Sequence, residues 1–231
     1  MYFFYIFLDY YSESLYNIGM KLELPKLQKV TRESGVRYYV TPEGNKFPSV
    51  TTVLSEEKKK ELKKWRDWVG EDEANKVKQL AAKRGSKFHT ICENYLTKQP
   101  FENDMGIMFD QFIPLLNRIT NIKCLEQHLY SNDLRVAGQV DCVAEFDRFP
   151  SIIDFKTSSK FKNRAHIWDY FMQASAYSYM LLERTGIDIQ MITILISCEK
   201  PEGTTQIYID KRDNWLGKFR ELRNKYNIDI N

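Results

Sequence analysis

AGQVDCVAEFDRFPSIIDFKTSSK, running from Ala137 to Lys160, is the stretch whose reading decides the fold. Two runs rich in β-branched and aromatic residues, RVAGQVDCVAEF and SIIDFKT, flank a turn spanning Asp147 to Pro150. Such runs bounded by turn residues read as paired antiparallel strands. Residues two apart in a strand face the same way, so Asp154 and Lys156 project side by side while Ile153 and Phe155 pack into the opposite layer. Asp141 precedes Asp154 by thirteen residues, and a hairpin with a short turn brings the two acids together. Two carboxylates at one point repel unless a cation joins them. Mg²⁺ or Mn²⁺ suits oxygen ligands and keeps water molecules for chemistry. Such a metal lowers the pKa of a bound water and polarises a phosphoryl oxygen, and Lys156 stands where it could orient that water or stabilise developing charge. Spacing alone leaves a second reading open, a surface hairpin carrying an Asp–Lys salt bridge.

The strand pattern extends to both sides. KCLEQHLYS, from Ile122 onward, precedes the stretch and completes a three-stranded antiparallel meander, with Asn132-Asp133 as its other turn. Glu126 and His128 lie on that first strand. Arg164 to Thr185 reads as a helix ended by Gly186, with Gln173 and Tyr177 four apart on one face. Gln190 to Ser197 is apolar almost throughout, as a strand buried on both faces requires. Thr205 to Ile209 reads as an edge strand, and a basic helix follows from Arg212 to Tyr226.

Upstream, Val36 to Val40 reads as a strand and Thr41 to Gly44 as a turn. The hydroxyls of Ser49, Thr51 and Thr52 either reach phosphate oxygens or simply cap a helix. A helix is expected over Glu56 to Val69, with Leu62, Trp65 and Val69 as its apolar stripe and six cations between Lys58 and Arg66. Gly70 breaks it. A second helix runs from Glu71 to Leu96 and carries Val77, Leu80, Arg84, Gly85, Phe88 and His89. Gly85 within it points to a close approach by some other group. A third, Asn103 to Ile119, is kinked or split by Pro114.

The 231 residues are 43% hydrophobic and 28% charged, with 34 basic against 31 acidic side chains. These values exclude a disordered chain and argue only weakly for a polyanionic partner. The four cysteines form no C-x-x-C pair, so reduced thiols are expected rather than zinc. Residues 1–20 end their apolar run at Asp9, too short for a bilayer, and read as an uncertain extension with poor signal-peptide character. The expected organisation is one domain over 21–231 with a helical region at 56–119, in a cytoplasmic protein with no membrane association. The Lys, Asn, Ile and Tyr content suits a phage or bacterial source with an AT-rich genome, the location then being the host cytoplasm.

Taken in order, Arg84-Gly85…His89, Glu126, Gly138…Asp141, Asp154-Phe155-Lys156-Thr157 and Gln173…Tyr177 resemble the RecB-like branch of the PD-(D/E)XK nucleases. The segment Pro48-Ser49-Val50-Thr51-Thr52-Val53-Leu54 is similar to the N-terminal motif of the mitochondrial genome maintenance exonuclease group and its phage relatives. The resemblance covers residues 47–200 and implies an α/β (α+β) fold, a mixed central sheet flanked by helices. It implies a Mg²⁺- or Mn²⁺-dependent deoxyribonuclease with His89, Asp141, Asp154 and the Phe155 backbone at the metal. Lys156 is then the catalytic lysine, and Glu126 joins a second metal or orients a water. Ser49, Thr51, Thr52, Arg84, Gln173 and Tyr177 contact DNA, with single-stranded ends preferred. Trp65, Trp68, Phe88 and Trp168 are candidate base-stacking surfaces. Replication or recombination proteins are candidate partners of an expected monomer. The family's motif proline is replaced here by Gly138-Gln139-Val140-Asp141. The four-cysteine pattern of some relatives does not occur, so no iron–sulfur cluster is expected, and no P-loop marks a motor. Two alternatives stay open: a structure-specific endonuclease or nickase, and a catalytically idle binding module.

Overall fold

The described part of the computed structural model comprises Leu22, residues 24–33 and residues 35–226; the 1–20 extension lies outside it. The chain first forms a small antiparallel sheet of β1 (Gln28–Thr31), β2 (Arg37–Val40) and β3 (Lys46–Pro48). The expected turn joins β2 to β3: Gly44 takes φ +83, and Thr41 Oγ1 accepts the Asn45 N–H at 3.2 Å.

Helix α1 (Val50–Val69) begins six residues earlier than the charge pattern indicates. The physical cause is Ser49, whose Oγ accepts the Thr52 N–H at 3.0 Å and so caps the first turn. Gly70, at φ +89, turns the chain directly into α2 (Glu71–Leu96). The third expected helix is split, as a proline in its interior requires, into α3 (Ile107–Asp110) and α4 (Ile113–Leu116), with Pro114 in the first turn of the latter.

The meander follows as β4 (Ile119–Ser131), β5 (Val136–Phe146) and β6 (Phe149–Ser158). A 3₁₀ turn at Arg164–His166 leads into α5 (Trp168–Thr185), ended by Gly186 in the left-handed conformation at φ +75. Then come β7 (Met191–Cys198), β8 (Thr205–Lys211) and α6 (Asp213–Lys225). Strands β4 to β8 form one sheet in chain order; β6 and β7 are parallel, joined through α5, and the other neighbours are antiparallel. The fold is the mixed sheet flanked by helices that the sequence led one to expect.

Both faces of the sheet are covered. On one, Ile152, Ile192 and Ile194 pack with Phe171 of α5, Phe219 of α6 and Val50 and Val53 of α1. On the other, Ile153, Phe155 and Leu195 pack with Phe88 of α2 and with Phe109 and Phe112. Phe88 and Phe112 meet edge to face at 4.8 Å between centroids. The four cysteines are buried free thiols.

The distal parts of α1 and α2 depart from expectation. Leu62, Val77 and Leu80 are exposed, and Trp68 is 83% exposed. Their apolar stripes do not meet the sheet, because α1 buries only residues 50 and 52–54 of its 20, and α2 only Ala74 before Phe88.

Candidate metal-binding cleft

The site forms where the β4–β5–β6 ladder is interrupted. Gln127 pairs with Val140 and Leu125 with Cys142, so Glu126 and Asp141 stand opposite each other between them, outside the regular pairing. Glu126 adopts φ +47, a conformation that costs a non-glycine residue about 1–3 kcal/mol and persists only where its surroundings impose it. Alternation inverts across this point. Val136 and Val140 pack on the α5 side, whereas Cys142 and Ala144 pack on the α2 side. On the other edge of β5, pairing with β6 stops at Cys142 and Ile153. The next facing positions are Asp141 and Asp154. Instead of continuing the ladder, Asp141 Oδ2 accepts the Phe155 N–H at 2.8 Å.

Helix α2 brings His89 to the same place. Its Nδ1 lies 3.4 Å from Glu126 Oε1 and 3.5 Å from Asp141 Oδ1. Ligand atoms of these three residues all fall within 4.8 Å of one another. Burial pulls the His89 imidazole down, but the carboxylates of Asp141 and Glu126 outweigh it and raise its pKa to about 9. Asp154 is 1% exposed, and burial above all pushes its pKa up to about 7 against the opposing pull of Lys156. Both of its oxygens are buried without a directed hydrogen bond. Lys156 Nζ contacts one of them as an ion pair and lies 5.2 Å from the centre of the Tyr170 ring. A strained glutamate, a buried aspartate lacking hydrogen bonds and a third carboxylate, gathered beside a histidine, suit a divalent cation with nitrogen and oxygen ligands.

His89, Glu126 and Asp141 open onto a cleft of about 850 Å³ that Ser49, Thr51, Gln173 and Tyr177 also line. Gln173 Nε2 donates to the Tyr177 hydroxyl at 3.4 Å. Burial, then Asp141 and Asp154, push the Tyr177 phenol well up, so it stays neutral. A Cβ on Gly138 would sit 2.7 Å from the Tyr177 ring, so this position admits glycine alone without displacing the tyrosine. Among the described residues, Gly85 has nothing within 4 Å of a Cβ and simply faces the cleft, so none of them makes the close approach its place in a helix pointed to.

Other candidates lie elsewhere. Thr52 is buried beneath the helix start, where Oγ1 donates to the Arg37 carbonyl at 3.1 Å. The Arg84 guanidinium is held outside the cleft, donating to Thr157 Oγ1 at 3.1 Å and pairing with Glu199 at 2.7 Å. Asp154 and Lys156 lie beside the lining rather than in it. Phe88 is fully buried and is a core residue, not a stacking surface, whereas Trp68 is open. The cleft also takes in Lys26, Lys29 and Arg37 of the small sheet and its approach. Their spacing carries no signal for this. Only the alternation in Arg37-Tyr38-Tyr39-Val40, which places Arg37 and Tyr39 on one face, could have hinted at it.

Residues 55–229 match the family model described as the PD-(D/E)XK nuclease superfamily. Curated relatives named mitochondrial genome maintenance exonuclease 1 are similar. The Homo sapiens protein is 27% identical over 175 residues, covering 69% of this chain and 51% of the relative. The Xenopus tropicalis protein is 26% identical over 204 residues, covering 78% and 58%. The chain thus spans about half the length of the curated relatives it matches. The solved structure of SSO0001 matches with a TM-score of 0.39 at 12% identity, covering 73% of this chain and 72% of that one.

Proposed function

For a chain that belongs to the PD-(D/E)XK nuclease superfamily, we propose the activity of a Mg²⁺- or Mn²⁺-dependent DNA exonuclease that prefers single-stranded ends. The observation that carries this is the convergence of His89, Glu126 and Asp141 with the Asp154–Lys156 pair at the interrupted end of the β5–β6 hairpin. His89, Asp141, Asp154 and the Phe155 backbone are the proposed ligands. Glu126, already against His89, takes part in the same site or orients a water. The bound ion would supply an activated water and a polarised phosphoryl oxygen.

The chain's own residues do the rest. Lys156 is held protonated by Asp154 and Asp141 against the cost of burial, and it stabilises negative charge growing on the phosphorus oxygens. Gln173 and the neutral Tyr177 hydroxyl orient the substrate at the lysine end of the site. Ser49, Thr51 and the first turn of α1 receive phosphates, since the leading N–H groups of a helix favour anions. The cationic α1, with α2, forms an arch for one strand. This favours threading from a free end over cutting within a chain, although a nickase keeps the same chemistry. The range of partners extends to replication or recombination proteins acting with a monomer in the cytoplasm. Among the described residues, no helix is long and apolar enough to cross a membrane.

The test uses end-labelled linear single- and double-stranded DNA beside circles, with Mg²⁺ or Mn²⁺, for the wild type, Lys156→Ala and Asp154→Asn. Loss of linear single strands, intact circles and a rate about 10²–10³-fold lower in Lys156→Ala are expected. Cut circles would refute the exonuclease assignment. Intact DNA of every form in both metals would refute the enzyme.

A further inference from the structure

We infer that Lys26, Lys29, Arg37 and His128 form a second wall of the cleft that binds the DNA phosphates flanking the one being cleaved. This rests on the nuclease reading above and adds a site to it. The register of the small sheet supplies the first argument. Lys29 pairs with Tyr39, Tyr39 with Phe47, and Thr31 with Arg37, so Lys29, Arg37, Tyr39 and Phe47 share one face. This is the face that docks: Leu27, Tyr39 and Phe47 pack with Tyr130 of β4 and Ala137 of β5. A sheet normally keeps its cations on the solvated face. Here two sit on the docking face, at the margin where it overhangs the cleft.

The second argument is chemical. Among the described residues, no carboxylate lies within ion-pairing distance of Lys26, Lys29 or Arg37, although all three line a cleft that also holds Glu126 and Asp141. Burial raises the pKa of the neighbouring Tyr39 phenol more than Arg37 lowers it, so that neighbour stays neutral and offers Arg37 no counter-charge. His128 Nδ1 accepts the Leu27 N–H at 2.8 Å, which leaves Nε2–H as the free donor of a ring that lines the cleft. Tyr39 fixes that ring edge to face at 5.4 Å between centroids. The wall therefore presents donors and positive charge in the same cleft that holds His89, Glu126 and Asp141. A bound metal would neutralise the acids, and a polyanion longer than one phosphodiester would engage both the metal and the wall. The backbone connects the two: the Arg37 carbonyl accepts from Ser49 N–H at 2.9 Å and from Thr52 Oγ1, tying the wall to the start of α1.

The test compares the full chain with Lys26→Gln/Lys29→Gln and with Arg37→Gln, on a labelled single-stranded oligonucleotide and on bis(p-nitrophenyl) phosphate, a diester with no neighbouring phosphate. Thermal melting confirms that each variant is folded, and His128→Gln adds a conservative variant that keeps a donor. Each charge removal is expected to raise KM for the oligonucleotide about tenfold, and the loss should exceed that on the small diester by a similar factor. The salt dependence of oligonucleotide binding should weaken by about 0.7 in log–log slope per contact removed. Equal losses on both substrates would overturn the inference, placing these residues at the cleaved phosphate. An unchanged KM and salt slope would overturn it too, leaving the nuclease reading intact. A wild type that neither binds nor cuts DNA would refute the parent reading, and this inference with it.

Discussion

The β5–β6 hairpin and the α1–α2 hairpin are both pairs of adjacent elements joined by a tight connection, yet opposite forces shape them. In the first, most side chains are buried between two helical layers, and regular pairing stops at the acids of the site. In the second, helices of about 30 and 39 Å touch the core at their roots, and most of their length faces solvent. The lesson is where strain and charge can be kept. A left-handed glutamate and a buried aspartate without hydrogen bonds need a rigid surround to hold them. A row of lysines needs only solvent and an anionic partner.

The comparison can be broken most forcefully at Phe88, the point where α2 passes from exposed arm to core. Phe88→Ala should cost about 3–5 kcal/mol, because a fully buried ring leaves a cavity; chemical denaturation measures it. A loss below 1 kcal/mol would mean that the arm and its root are equally loose. Next comes Gly138→Ala. Its methyl group would meet the Tyr177 ring, and such overpacking costs about 1–3 kcal/mol. The melting temperature should fall and cleavage with it, since Tyr177 lines the cleft. A fully active, fully stable variant would show that the tyrosine moves freely. Ser49→Ala should remove about 1 kcal/mol by uncapping α1 and should weaken oligonucleotide binding as well. Stability lost without any change in binding would make Ser49 a cap and nothing more. Smallest of all, Trp68→Ala should shift stability by under about 0.5 kcal/mol, as for a surface site without special contacts. A larger destabilisation would show that the arm is packed after all.

Much of this was legible because it is local. The strand alternation from Ala137 to Lys160 specified a hairpin, and the i, i+2 rule paired Asp154 with Lys156, which the structure shows in contact. Pro114 split its helix and Gly186 ended another, since both act through their own backbone. The start of α1 was misjudged because a charge pattern says nothing about a cap, and the Ser49 hydroxyl recruits another turn. The stripes at Leu62, Val77 and Leu80 were misjudged for a different reason. Helical periodicity shows that a face is apolar, not that anything stands opposite it.

The grouping of the site divides the same way. His89, Glu126, Asp141, Asp154 and Lys156 could be singled out only through the order of their motifs, by resemblance to the nuclease family, since each residue alone reads equally well as an ordinary core or surface group. Their mutual geometry could not. Glu126 against His89, Asp141 on the Phe155 amide, and Arg84 turned away to Glu199 all depend on where the ladder breaks and how α2 crosses it. The sequence by itself determined most of the elements and the hairpin, since hydrophobic alternation and turn chemistry act over a few residues, and the order of its motifs pointed to the acids. Only the tertiary structure decided which acids meet the histidine and which cations share their cleft. Those contacts join segments separated by tens of residues, and packing alone brings them together.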